Sequence, residues 1–145
     1  MNLIQFRSTH AQVMAYSVMN DKHTQVDKNY LDLLNNLEVD DMSFTAVKDD
    51  KFICSGGIIP IWDNVYEGWV MASSHVWNNK ISAARTIKKG MEVLLKNYKV
   101  VRLQTAVKKD FDLGHKFPKW LGMEEEGLMV KYQNNEDYIR YARIK

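Results

Sequence analysis

The strongest constraint on the fold is a stretch of helical apolar spacing between two strand-like segments. The apolar residues of this stretch recur every three or four positions and form one stripe, which is typical of an amphipathic helix. The stripe consists of Ala83, Ala84, Ile87, Met91, Leu94, Leu95 and Tyr98. Residues 66–73 before it and residues 100–107 after it have the composition and alternation of strands. Strands separated by a helix indicate an α/β fold.

The remaining segments complete a mixed arrangement of helices and strands. A short strand at residues 3–6 precedes a helix that begins near Thr9, and a second apolar stripe predicts a helix over residues 24–37. Strands at residues 43–48 and 52–61 then form a meander with the strand at 66–73. A helix over 110–121 and two final strands, at 127–133 and 138–144, follow the central unit. The predicted order is β-α-α-β-β-β-α-β-α-β-β, a mixed central sheet with helices on its faces.

Length and composition favour a single soluble domain. The chain has 145 residues, of which 46% are hydrophobic and 26% charged, enough for one sizeable core over residues 1–145. No segment has the uninterrupted apolar length of a membrane span. Cys54 is the only cysteine, which excludes an intramolecular disulfide and paired-thiolate metal sites. We therefore predict a cytoplasmic protein with no metal site.

The net charge and one local cluster bear on the partners of the protein. The formal net charge is only +2, which argues against a dedicated nucleic-acid-binding protein. Positive charge nevertheless gathers locally, as Lys80, Arg85, Lys88 and Lys89, a cluster that is most often a solvated helix face. A helix N-terminus after a strand is a ready anion site, because its first backbone N–H groups lack partners and its dipole is positive there.

Two stretches of the chain resemble the GNAT acyltransferases. These are "VVRLQTAV" and, after a helix, "WLGMEEEGLMVKY", which has the Leu-Gly step common before a Glu-Gly-bearing strand in that superfamily. Within the superfamily, "WVMASSHVW" and the basic helix are similar to small GNAT-like proteins of podoviruses, which act inside the virion or in core assembly. The resemblance implies a phage origin, an α/β fold, and a splay between the strand at 66–73 and the strand at 100–107.

The resemblance also implies acetyl-CoA as cofactor, bound by the turn that follows the splayed strand. The residues implied to bind it are Ser73, Ser74, His75, Val76, Asn78, Asn79, Lys80, Ile81, Ser82 and Ala83. Small residues in this loop let backbone N–H groups approach phosphate oxygens. Ala83 keeps the last small position, but Ile81 replaces a glycine and Asn78 replaces a long side chain. Lys80 can meet a phosphate as a point charge, and Ser82 can either bind phosphate or cap the helix.

Three residues are candidates for proton transfer. His75, just past the splayed strand, is the preferred general base, because an ordinary histidine titrates near neutral pH. Glu67 matches the region where many GNAT enzymes carry a water-linked base and is the second candidate base; the other interpretation of Glu67 is a solvated carboxylate at the end of its strand. Pro118 stands where these enzymes often place an acidic tyrosine, and His115, one helical turn earlier, is the candidate acid. A lone histidine on a loop or helix is more often a surface or packing residue.

Two functions follow from this sequence. One is an N-acetyltransferase that transfers an acetyl group from acetyl-CoA to an unidentified amine. The other is a catalytically degenerate phage protein that keeps the fold for virion assembly or for binding a host protein. The order of elements and the cationic loop favour the enzyme, whereas Ile81 and Pro118 favour the second function.

Overall fold

The described part of the chain contains seven strands and three α-helices. The structure, a computed structural model, describes residues 1–18 and 35–145. The strands are β1 (Asn2–Gln5), β2 (Ser43–Lys48), β3 (Lys51–Trp62), β4 (Val65–Ala72), β5 (Arg102–Lys108), β6 (Glu124–Gln133) and β7 (Glu136–Ile144). The helices are α1 (Ser8–Val18), α2 (Lys80–Asn97) and α3 (Asp112–Trp120), and short 3-10 helices cover Asn35–Leu37 and Ser74–Asn78.

The strands form one mixed sheet in the order β1-β2-β3-β4-β5-β7-β6. The pairs β1–β2, β2–β3, β5–β7 and β6–β7 are antiparallel, whereas β4 and β5 are parallel. The parallel register joins residues 65–67 of β4 to residues 102–104 of β5 and ends at Glu67 and Gln104. These two described strands are therefore not paired along their full length.

The predicted α/β fold and order of elements are confirmed over the described residues. The second predicted helix lies largely outside them, with only Asn35–Leu37 described, as a 3-10 helix. The boundary predicted for β6 is wrong: the strand begins at Glu124, not Gly127, because Glu124 and Glu125 pair with Ala142 and Tyr141 of β7. Among the described residues, no helix is both long enough and apolar enough to span a membrane.

Two of the strand connections are two-residue turns in which both residues have a left-handed backbone. Asp49 and Asp50 have φ angles of 52° and 60° and join β2 to β3. Asn134 and Asn135, at 51° and 60°, join β6 to β7. Two successive residues with positive φ are typical of a type I′ turn, whose twist matches that of the strands. The sequence predicted both turns.

The chain divides into two compact units, which are described separately. The first unit comprises Met1–Ile59 and Trp69–Leu94, and the second comprises Pro60–Gly68 and Leu95–Lys145. In the first unit, the β2 and β3 strands bury Ala46, Ile53 and Cys54 against Ala83 of α2. Burial raises the pKa of the Cys54 thiol to about 11, so this cysteine is a neutral core residue.

Buried hydroxyl groups on β2 and β3 connect to a histidine on α1. Thr45 and Ser55 are 0% and 1% exposed, and their hydroxyl oxygens lie 2.8 Å apart. The Thr45 hydroxyl also lies 2.8 Å from Nδ1 of His10, and the Arg7 backbone N–H donates to the same nitrogen at 3.2 Å. Because an N–H can only donate, Nδ1 of His10 is an acceptor and the ring is neutral in this arrangement.

We expect this histidine to make the protein less stable in mild acid. Burial, and secondly the positive charge of Arg7, lower the pKa of His10 below its ordinary 6.5. As the pH falls, the unfolded chain therefore binds the proton before the folded protein does. The contribution of His10 to the free energy of unfolding is present above pH 6.5 and is lost as the pH falls through and below that value. Urea unfolding between about pH 7.5 and pH 5 measures it. The His10→Asn variant should lose this part of the pH dependence; an unchanged profile would contradict the prediction.

The second unit packs α3 against the sheet and ends this helix with a glycine. Gly122 has a φ angle of 85°, and its N–H donates to the Lys119 carbonyl at 3.0 Å. The Met123 N–H donates to the carbonyl of Pro118 at 2.9 Å. This pair of bonds is the Schellman motif, which satisfies carbonyl groups of the last helical turn. The sequence predicted that Gly122 ends this helix.

Candidate functional site

The turn after β4 is held by the hydroxyl of Ser73. Ser73 is 2% exposed, and its Oγ lies 2.6 Å from the Phe52 carbonyl and accepts the His75 N–H at 3.2 Å. The Val76 N–H donates back to the Ser73 carbonyl at 3.1 Å. These bonds fix the 3-10 helix Ser74–Asn78, which contains predicted cofactor residues Ser74, His75, Val76 and Asn78. The Ser73 side chain therefore supports the turn from inside.

Asn79 and two lysines form the polar start of α2. The Asn79 amide donates to the His75 carbonyl at 3.0 Å, and its Oδ1 accepts from Lys48 Nζ at 3.1 Å. Lys80 Nζ lies 4.9 Å from the centre of the exposed Trp77 ring. The turn thus holds two ammonium groups beside the beginning of the helix.

The first turn of α2 carries backbone N–H groups that precede the first hydrogen bond of the helix. Its first backbone bond runs from the Ala83 N–H to the Asn79 carbonyl, at 2.8 Å. In the described part of the chain, no backbone carbonyl accepts from the amides of Lys80, Ile81 or Ser82. The capping role considered for Ser82 is wrong, because the helix begins at Lys80 and places Ser82 inside its first turn.

Glu67 lies in the second unit, at the last position of the parallel register, and is tightly surrounded. Its side chain is 23% exposed. Gln104 Nε2 donates to Oε2 at 3.0 Å, and one nitrogen of Arg140 lies 3.3 and 3.4 Å from the two carboxylate oxygens. Burial raises the pKa of Glu67, although Gln104 and Arg140 act in the opposite direction. Glu67 is therefore a half-buried, paired carboxylate and not a solvated strand end.

His115, also in the second unit, is bonded through both ring nitrogens. Nε2 lies 2.9 Å from the Lys109 carbonyl, and Nδ1 lies 2.8 Å from the hydroxyl of Tyr141. A carbonyl only accepts, so Nε2 carries the hydrogen, and in the neutral ring Nδ1 accepts from Tyr141. Tyr141 is 1% exposed. The imidazole thus ties α3 to β7.

The structure brings some candidates together and separates others. Ser73, His75, Val76 and Asn79 form one hydrogen-bonded turn in the first unit. In the second unit, Glu67 contacts Arg140 whereas His115 contacts Tyr141. Arg140 and Tyr141 are consecutive residues of β7, so their side chains point to opposite faces of the sheet. Glu67 and His115 therefore lie on opposite faces. The catalytic roles of His75 and His115 stay predictions.

Sequence reasoning missed the partners of Glu67. The alternation of β5 places Arg102 and Gln104 on one face, which the pattern itself could have indicated. Arg140 is 73 residues from Glu67 along the chain, and only the strand order and register bring the two together. The isolated sequence carries no signal for that pairing.

With the sheet and both sets of candidates described, the fold can be assigned: it is the fold of the GNAT acetyltransferases. A ribosomal-protein-alanine N-acetyltransferase from Brucella melitensis is similar over 100% of both chains, with 16% identity and a TM-score of 0.73. A ribosomal L7/L12 α-N-protein acetyltransferase in complex with coenzyme A is 12% identical, over 98% of this chain and 92% of the other, with a TM-score of 0.75.

A third similar structure is that of an enzyme named for a different amine. It is a spermidine N-acetyltransferase variant from Vibrio cholerae, 12% identical over 99% of this chain and 95% of the other, with a TM-score of 0.72. No protein-family model and no curated protein matches the chain. At these identities, the likeness defines the fold, and activity has to be argued from the residues.

Proposed function

We propose that this protein is an acetyl-CoA-dependent N-acetyltransferase. The observation that carries the proposal is the likeness of nearly the whole chain to acetyltransferases, one of them in complex with coenzyme A. The short parallel register of β4 and β5 supports it, since the resemblance to GNAT enzymes implies a splay between these strands. A phage origin, and a virion or host protein as partner, stay predictions from the sequence.

The residues at the start of α2 fit the phosphates of coenzyme A. The amides of Lys80, Ile81 and Ser82, together with the positive end of the helix dipole, suit an anion. Lys80 and Lys48 add positive charge to the same turn. The small side chain of Ala83 is buried, and that of Ile81 is 69% exposed, so neither fills the helix end itself. When bound, acetyl-CoA would supply a thioester as the acetyl donor.

Glu67 is the general base that we propose. An amine is protonated at neutral pH and must lose a proton before its nitrogen lone pair can attack a carbonyl carbon. Glu67 would accept that proton, directly or through a water molecule. In the transfer, a C–N bond forms, the thioester C–S bond breaks, and the second proton of the amine ends on the thiol. Burial raises the pKa of Glu67 above the ordinary value for a glutamate, which strengthens it as a base.

An acetylation assay paired with calorimetry tests the proposed function. Calorimetry with coenzyme A, acetyl-CoA and desulfo-CoA measures binding, and release of free thiol in the presence of amines measures transfer. The amines should include spermidine and a peptide with a free α-amino group, because similar structures are named for such activities. Binding with transfer supports the enzyme. Absence of coenzyme A binding, or binding without transfer to any amine while a virion or host partner is captured, contradicts it.

The placement of the phosphates predicts the effect of one lysine. We expect Lys80→Ala to weaken coenzyme A binding about fivefold, since a solvent-exposed charge contact contributes about 1 kcal/mol. The affinity of the variant should also depend less on salt concentration, because one screened contact is gone. Lys89→Ala removes an exposed charge from a later turn of the same helix and should leave binding unchanged. Equal affinities of the two variants would reject this placement.

A further inference from the structure

The carboxylate of Glu67 is held from two neighbouring strands. From β5, Gln104 donates one hydrogen bond to Oε2, and from β7 a single nitrogen of Arg140 straddles both oxygens. The Arg140 guanidinium also lies over the ring of Tyr132, 5.6 Å from its centre. Because Gln104 and Arg140 hold these oxygens from two different strands, the carboxylate has little rotational freedom.

A second ion pair sets which way Gln104 points. Arg102 Nε donates to the Gln104 Oε1 at 2.9 Å, which leaves the amide NH₂ group directed at Glu67. The Arg102 guanidinium is in turn held by both carboxylate oxygens of Glu126 on β6. The groups around Glu67 are thus Arg102 and Gln104 from β5, Glu126 from β6 and Arg140 from β7. An oppositely oriented amide would set its oxygen against the carboxylate.

We propose that Arg140 and Gln104 are positioning residues that fix the orientation of the Glu67 carboxylate and limit its proton affinity. The inference rests on the proposed function, in which Glu67 accepts the proton of the amine. Partial burial alone favours the protonated acid, which cannot act as a base. The positive charge of Arg140 and the donated hydrogen bond of Gln104 both favour the carboxylate. Together they oppose the effect of burial and favour the ionised form, which is the form that can accept a proton.

Titration of Glu67 itself tests this inference without reference to activity. Glutamate side chains labelled with ¹³C at the carboxyl carbon are followed by NMR, and Glu67→Gln assigns the signal. We expect Arg140→Gln to raise the midpoint of the Glu67 titration by about one pH unit, the effect of removing a neighbouring opposite charge. Arg140→Lys should restore it, because only one nitrogen of Arg140 contacts the carboxylate.

The matched control removes an arginine from the same strand. Arg143 contacts the Leu121 carbonyl at 3.4 Å and points to the other face of β7, so Arg143→Gln should leave the Glu67 titration unchanged. If Arg140→Gln does not fold, Gln104→Leu replaces it and should also raise the midpoint. An unchanged midpoint in a folded Arg140→Gln or Gln104→Leu protein, or equal changes in Arg140→Gln and Arg143→Gln, overturns the inference.

The pH dependence of transfer separates this inference from the proposed function. If Glu67 is the base, the acidic limb of the pH profile of kcat/KM should shift to higher pH in Arg140→Gln, together with the NMR midpoint. A midpoint that moves while the acidic limb stays in place supports the positioning of Glu67 by Arg140. The same result would remove Glu67 from its proposed role as base.

Discussion

Replacing Glu67 with glutamine should lower acetyl transfer by about 100-fold or more, because general-base catalysis contributes at least about that factor. Glutamine has nearly the size of glutamate, and its amide oxygen can still accept from Gln104, so the strand pairing at this position should survive. It cannot take a proton from an ammonium group at neutral pH. The dissociation constant of coenzyme A, measured by calorimetry, should stay close to that of the unchanged protein.

The matched comparison is His75→Gln, which tests the base that the sequence favours. His75 lies in the 3-10 helix after β4, and both its backbone N–H and its carbonyl are bonded within that turn. We expect the loss of its imidazole to affect turnover much less than the loss of the Glu67 carboxylate. A His75→Gln protein that loses most of its turnover, beside a Glu67→Gln protein that keeps it, would return the role of base to His75.

Local patterns made much of the fold predictable. The stripe that begins at Ala83 continues through α2, and the residue pairs Asp49-Asp50 and Asn134-Asn135 do form the hairpin turns expected of them. Such features depend on residues close in sequence, so the sequence alone carries them. The sequence placed the start of β6 at Gly127, although three successive glutamates precede it in the strand. Only pairing with β7 shows that they extend the strand.

The candidate site was less predictable, because it depends on contacts between distant residues. The sequence identified Glu67 as a candidate base and left a solvated strand end open as the alternative, whereas Arg140 and Gln104 enclose it. It offered Ser82 as a cap, a role that a start at Lys80 excludes. Both outcomes depend on single residues: the strand register sets the neighbours of Glu67, and the first residue of α2 sets the position of Ser82. Element boundaries are the least certain result of reading a sequence pattern.

A glycine on β3 should be needed for the fold in a way that a helical glycine is not. An added Cβ at Gly57 would lie 2.3 Å from the Met42 carbonyl oxygen and 2.8 Å from the Cα atom of Ser43. Both atoms belong to the backbone, so relief requires β2 and β3 to move apart. We expect Gly57→Ala to lower the free energy of unfolding by about 2–3 kcal/mol, the cost typical of overpacking. Urea denaturation measures the change.

Gly90→Ala is the control, because the same methyl group is added where there is room for it. Apart from its chain neighbours and its own helix backbone, no atom of the described residues lies within 4 Å of a Cβ at this position on α2, and alanine is the better helix former. This variant should gain about 0.5–1 kcal/mol of stability. The two substitutions are chemically identical, so the opposite signs expected for them isolate the close approach of the β2 and β3 backbones. A Gly57→Ala protein as stable as the unchanged chain would show that these strands do not approach so closely.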